Sequence, residues 1–154
     1  MTQGLAPMSR RRMLAFAASL ALPSLALPRA KAATSGTATM RLRFTFADQS
    51  FTATMEDNPW AQDLLSMLPL DLTITDYSTN EKIAYLPRKL IGNGSDRFVR
   101  EAAGDLCYFA PWGNLAFFHA GYRWSSGLIR LGRLDGGVDP LLVRGEFPLR
   151  AAHA

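Results

Sequence analysis

The sequence predicts a mainly-β domain, a small barrel or sandwich of short strands around one short helix. Three observations lead there. Apolar and polar residues alternate strictly in several short stretches, the period of a half-buried strand. One stretch carries both a helix start signal and an apolar stripe at helical spacing. Gly, Pro, Asn and Asp punctuate the chain at close intervals between the stretches.

Met40, Leu42, Phe44 and Phe46 share one face of residues 40–46 and predict the first strand. Ala47-Asp48-Gln49-Ser50 is a hairpin connection, and residues 51–56 return as a second strand. Asn58 then stands as an N-cap before Pro59, whose missing N–H costs nothing in the first helical turn. Ala61, Leu64, Leu65 and Leu68 form the apolar stripe, Asp63 suits the helix dipole, and Pro69 ends the helix, giving residues 59–68. Leu70, Leu72 and Ile74 alternate with Asp71, Thr73 and Thr75, and residues 82–86 make a short strand. Residues 87–104, with Gly92-Asn93-Gly94-Ser95, read as a long irregular loop. Gly104-Asp105 reads as a turn into residues 106–110, apolar on both faces. Pro111-Trp112-Gly113 separates these from residues 114–118, a second buried strand. Residues 128–134 alternate, Asp135-Gly136-Gly137 turns, and residues 147–150 form a last strand that Pro148 assigns to an edge. Many strands with one helix indicate a closed barrel or a sandwich.

The first 32 residues read as an address. Ser9-Arg10-Arg11-Arg12 precedes an uncharged Ala- and Leu-rich run of 15 residues, 13–27. Ala30-Lys31-Ala32 then offers a small-x-small cleavage site, with cleavage after Ala32. Arg10 and Arg11 before a hydrophobic run look like a twin-arginine signal, and the export machinery is the first partner implied. An amphipathic helix or short anchor is the other reading. The run is shorter than the roughly 20 residues a membrane-spanning helix needs, and Pro23 and Pro28 break it. No lipid-accepting cysteine follows, so no stable membrane anchor is expected after cleavage, and the location is periplasmic or secreted. Met1 and Met8 both serve as starts under this logic. Residues 33–39 are a flexible lead-in and 40–150 the folded domain.

The leader also accounts for the basic balance. Five of the 17 basic residues and none of the 13 acidic ones precede Ala33, so the mature 122 residues carry a formal charge of −1. That removes the electrostatic case for nucleic acid. A single cysteine, Cys107, excludes an internal disulfide, which suits a route that in general carries proteins already folded.

Several segments together resemble bacterial cyclophilin-like proteins. They are Asp57-Asn58-Pro59 with Asp63-Leu64-Leu65, the run Glu81-Lys82-Ile83-Ala84-Tyr85-Leu86-Pro87, residues 104–118 and residues 127–134, and the resemblance spans residues 40–150. It implies a small closed antiparallel β-barrel of about eight strands with one short helix covering an open end. The resemblance does not carry an activity with it. Cyclophilins that isomerise prolyl bonds pair an Arg-Phe with a following Gln on a groove-facing strand. Here Arg43-Phe44 and Arg97-Phe98 lack that Gln. Compact relatives of this kind are in general of undetermined function.

Candidate chemistry is sparse. His119 follows a buried strand and is either a general acid/base or a strand-end histidine, the second being favoured; His153 is expected to be disordered near the C-terminus. Cys107 reads as a buried inert thiol rather than a nucleophile. No metal set or cofactor motif occurs, and Asn93-Gly94-Ser95 matches a glycosylation sequon by chance. Tyr85, Arg88, Trp112, Asn114, Tyr122 and Trp124, with His119, offer aromatic walls and a few polar groups for a small-molecule or peptide ligand. The same aromatics could instead plug the barrel as core. The first expectation is therefore a binding module. The alternatives are a prolyl isomerase-like enzyme and an accessory subunit of an exported enzyme complex.

Overall fold

The computed structural model describes residues 39–94 and 97–154. The leader with Arg10 and Arg11, its cleavage point after Ala32, all of the lead-in but its last residue, and Ser95 of the sequon lie outside the described residues.

Eight antiparallel strands close into a barrel. They are β1 (Arg41–Phe46), β2 (Gln49–Met55), β3 (Leu70–Tyr77), β4 (Glu81–Tyr85), β5 (Asp105–Phe109), β6 (Asn114–Phe118), β7 (Leu128–Leu134) and β8 (Phe147–His153). The order around the ring is β1-β2-β7-β5-β6-β4-β3-β8, and β8 returns to β1. The alternation of β1 is reproduced, with Leu42, Phe44 and Phe46 buried between exposed Arg41, Arg43 and Thr45. Inside the barrel Phe44 stacks on Phe51 at 5.3 Å and meets Phe117 edge-on at 5.2 Å. Such ring geometries add about 1 kcal/mol to plain area burial.

The helix, α1 (Pro59–Ser66), begins as expected. Asn58 accepts a hydrogen bond from the Ala61 N–H at 2.9 Å and donates its own Nδ2 to the Arg130 carbonyl at 3.0 Å. The cap therefore also fastens the helix to β7. Ala61 and Leu64 enter the barrel core. Asp63, expected to favour the helix dipole, instead clamps the loop after β4. Arg88 grips it with two hydrogen bonds, at 2.6 and 3.0 Å, and the Ile91 N–H adds a third at 2.8 Å. The Arg88 hydrogen bond, foremost, holds the Asp63 carboxyl below the usual carboxylate range.

Three local expectations need correction. Asp105 is the first residue of β5 and fully buried, not a turn residue. The last strand is not an edge: β8 pairs with β1 and β3. Proline is tolerated because pairing with β1 starts at Leu149, opposite Phe46, so Pro148 is paired on its β3 side alone. The strand also runs past residue 150, and His153 is ordered opposite Leu42. A short 3-10 turn, Asp139–Leu142, follows the Gly136-Gly137 turn and was not anticipated; it buries Leu141.

Candidate functional site

Strands β4 and β6 are the floor of the site. In β4, Lys82 and Ala84 turn into the barrel, leaving Glu81, Ile83 and Tyr85 outward. In β6, Leu115 and Phe117 turn inward, and Asn114, Ala116 and Phe118 outward. Apart from Glu81 and Asn114 this outer face is largely apolar, as the double-sided character of residues 106–110 and 114–118 requires, so something must cover it. Loop residues 119–127 do so in part. Tyr122 lies flat on Phe118 at 3.6 Å, and Trp124 and Phe98 pack against the same cluster with Cys107 and Leu128.

Between that loop and the turn at residues 111–113 an open groove of about 380 Å³ remains. Its rings are Tyr77, Phe109, Trp112, Phe118 and Tyr122, its floor includes Ile83 and Ala116, and its polar members are Asn80, Glu81, Asn114, Arg123 and Ser125. Trp112 stands edge-on to both Tyr77 and Phe109, each at 5.5 Å, and remains 48% exposed. The rim needs Gly127: φ is +87°, and a Cβ there would come within 2.7 Å of Pro111.

Two polar side chains in the groove carry oxygens without a partner among the described residues. Asn114 is buried and donates Nδ2 to the Leu115 carbonyl at 3.0 Å, while its Oδ1 meets no partner among the described residues. Glu81 is partly buried and has no hydrogen bond or ion pair there; burial pushes its carboxyl up to about 7. A buried polar atom without a partner costs free energy that a ligand group can recover.

Behind the groove, Asp105 holds the covering loops. Its carboxylate accepts from the Tyr122 hydroxyl at 2.7 Å and the Ala102 N–H at 3.0 Å. Arg133 lies 2.8 Å away and Arg130 3.8 Å. Arg130 in turn donates to Glu56 at 2.6 Å, and both arginines donate to the Arg100 carbonyl. Tyr122 thus gives the groove its ring face and keeps its hydroxyl for Asp105; burial first, then its Cys107 and Asp105 neighbours, raises its phenol above the ordinary range. Cys107 sits 3.6 Å from that hydroxyl, and burial pushes its thiol up to about 12, an inert state.

Of the residues singled out from sequence, the structure brings Trp112, Asn114 and Tyr122 to one groove. Tyr85 continues the outer face of β4 but does not line the groove and is 55% exposed. Arg88 is held on α1 by Asp63. Trp124 is packed in the covering cluster, its Nε1 donating to the Leu128 carbonyl at 2.9 Å with the Arg97 guanidinium over its ring. His119 belongs to a different group. Buried Lys82 pairs with Asp76 at 2.8 Å, and Arg144 approaches Asp76 at 3.4 Å. Burial first, then the positive charges of Arg144 and Lys82, holds the His119 imidazole below its ordinary pKa. Its Nε2 has no partner among the described residues. The residues that sequence reasoning missed are Glu81, Tyr77 and Arg123. Glu81 and Tyr77 face each other across the β3–β4 hairpin, a juxtaposition legible only once that hairpin's register is known. Among the described residues no group of His, Cys, Asp and Glu could hold a metal ion. The arrangement suits binding: ring faces for an apolar body and a few polar anchors.

The comparisons with known proteins agree with this architecture. The model of a family described as cyclophilin-like matches residues 44–150. The solution structure of a hypothetical protein from Archaeoglobus fulgidus superposes with a TM-score of 0.60 at 19% identity, covering 75% of this chain and 95% of that one. At that identity the likeness concerns the fold alone. No curated protein matches the chain.

Proposed function

The chain belongs to the cyclophilin-like family, and on that premise we propose that it is an exported binding module that holds a small molecule or a peptide in its outer groove. The observation that carries this reading is the groove itself, where a ring-walled cleft of about 380 Å³ contains a buried Asn114 Oδ1 without a partner. A closed barrel offers no strand edge for a peptide backbone to pair with, so recognition falls to side chains of the outer face. A thermal-shift screen of the purified chain against metabolites and peptides tests it. A ligand present at about 100 times its Kd adds about 2.7 kcal/mol, a rise of several degrees in Tm. The rise should vanish in Trp112→Ala. No shift with any class overturns the reading.

Export rests on the leader. Fusing residues 1–40 to a folded reporter should send it out of the cytoplasm, and replacing Arg10 and Arg11 by Lys should retain it. Retention with the native leader defeats this part of the proposal.

A further inference from the structure

Among the described residues, the fold pairs its buried and partly buried carboxylates with one omission. Asp63 has Arg88, Asp76 has Lys82, Glu56 has Arg130, Asp105 has Arg133 and Tyr122, and Glu101 accepts from the Trp124 N–H. Glu81 has none of these, although it is partly buried and sits where a charge is costly. Its cross-strand neighbours are rings: Tyr77 on β3 and Phe118 on β6. Loop residues Tyr122 and Arg123 line the same groove, the Tyr122 hydroxyl committed to Asp105 and Arg123 making no ion pair with Glu81. Lys82, next along β4, faces the opposite way, into the barrel and onto Asp76. A carboxylate without a counter-ion, in one groove with the partly exposed rings of Tyr77 and Trp112, is the complement of an organic cation: the carboxylate supplies the charge and the rings supply quadrupolar attraction and apolar contact.

We propose that the groove takes a ligand bearing an alkylammonium group on a small apolar body, with Glu81 as its counter-ion and the Tyr77 and Trp112 rings against its body. This rests on the outer groove being the binding site. The ammonium can come from a free amine or from a lysine side chain of a peptide; the chemistry at Glu81 is the same. Binding would give the Glu81 carboxyl the partner that the fold withholds, and burial of that carboxyl without one, which pushes it up to about 7, fits a site completed by its ligand.

Calorimetric titration of the purified chain at pH 8, where Glu81 is ionised, provides the test. The probes are phenethylamine, its neutral counterpart phenethyl alcohol, its anionic counterpart 3-phenylpropanoate, and an end-blocked Gly-Lys-Gly peptide. The amine should bind about tenfold more tightly than the alcohol, and more tightly still than the carboxylate. Glu81→Gln should bring the amine down to the level of the alcohol. Tighter binding of the lysine peptide than of phenethylamine assigns the cation to a peptide, and the reverse order to a free amine; both support the inference. Equal affinity for amine and alcohol, or an amine preference that survives Glu81→Gln, overturns the cation and leaves groove binding standing. If no probe binds while the thermal screen yields a Trp112-dependent ligand of other chemistry, the cation alone falls. If both fail, the binding reading falls with it.

Discussion

Asp105 is fully buried and Glu81 only partly, yet the fold surrounds the first with donors and leaves the second without any. The two therefore behave oppositely toward pH and mutation. Glu81 has its folded-state pKa raised to about 7 from an ordinary 4.5 by burial, so the folded protein holds a proton that the unfolded chain has released between those values. Stability consequently falls as pH rises from about 4.5 through about 7. Because the groove is open to solvent, the penalty is screened to about 1 kcal/mol. Glu81→Gln should thus melt about 3–5 °C above the native chain at pH 8 and coincide with it at pH 4.5; the Tm against pH of both proteins checks this. Neither residue's role is legible from its neighbours in sequence. Gly104-Asp105 has the composition of a turn, and the cations that make a buried aspartate tolerable, Arg130 and Arg133, arrive on another strand. Glu81 stands just ahead of the strand expected over 82–86, is in fact the first residue of β4, and gives no sign of partial burial until the loop at 119–127 is placed beside it. Arg88 is the converse case: its place near aromatics suggested a ligand contact, and a carboxylate on the preceding helix takes it.

At the scale of elements, the two loops around the outer face depend on one carboxylate. Residues 97–104 are tied through the Ala102 N–H and the Arg100 carbonyl, and residues 119–127 through the Tyr122 hydroxyl. Asp105→Asn keeps an acceptor for Tyr122 and removes the charge facing two arginines, one of them partly exposed, at a cost of about 2–3 kcal/mol. Hydrogen exchange should quicken first at Ala102, Tyr122 and Trp124, with amides of β1, β2 and β8 still protected at matched temperature; uniform loss of protection would mean the carboxylate supports the barrel rather than the loops. The elements most readable in advance were those whose signal is local. The β1 alternation needs only a wet face and a dry one, and the start of α1 needs only Asn58 and Pro59. The strand continuing to His153 and the 3-10 turn at Asp139–Leu142 were not, because Ala151-Ala152-His153 has little β character of its own and Leu141 is buried through contacts distant in sequence.

For the molecule as a whole, closure is the organising fact, and it is made by the pairing of β8 with β1. The sequence pattern pointed to a barrel or a sandwich without deciding between them, since alternation along strands does not reveal whether the first meets the last. Deleting residues 151–154 removes buried Ala151 and the pairings of Leu42, Arg43 and Phe44 with His153, Ala152 and Ala151. At about 1 kcal/mol for each net hydrogen bond lost, the cost is about 3 kcal/mol, or about 10 °C in Tm. Calorimetry of the shortened chain measures it, and an unchanged Tm would show that the seam contributes nothing.

That seam also places both ends of the domain at one point of the ring. Leu42 lies opposite His153, and the Ala154 N–H reaches the Arg41 carbonyl at 3.1 Å. A two- or three-residue linker there would add one ordinary hairpin, and the polypeptide could be reopened at the exposed Asp135-Gly136-Gly137 turn with every strand keeping its neighbours. The cyclic order of the strands, rather than the order in which they are synthesised, is then what specifies this barrel, and a circular permutant becomes the natural vehicle for placing a reporter on either rim.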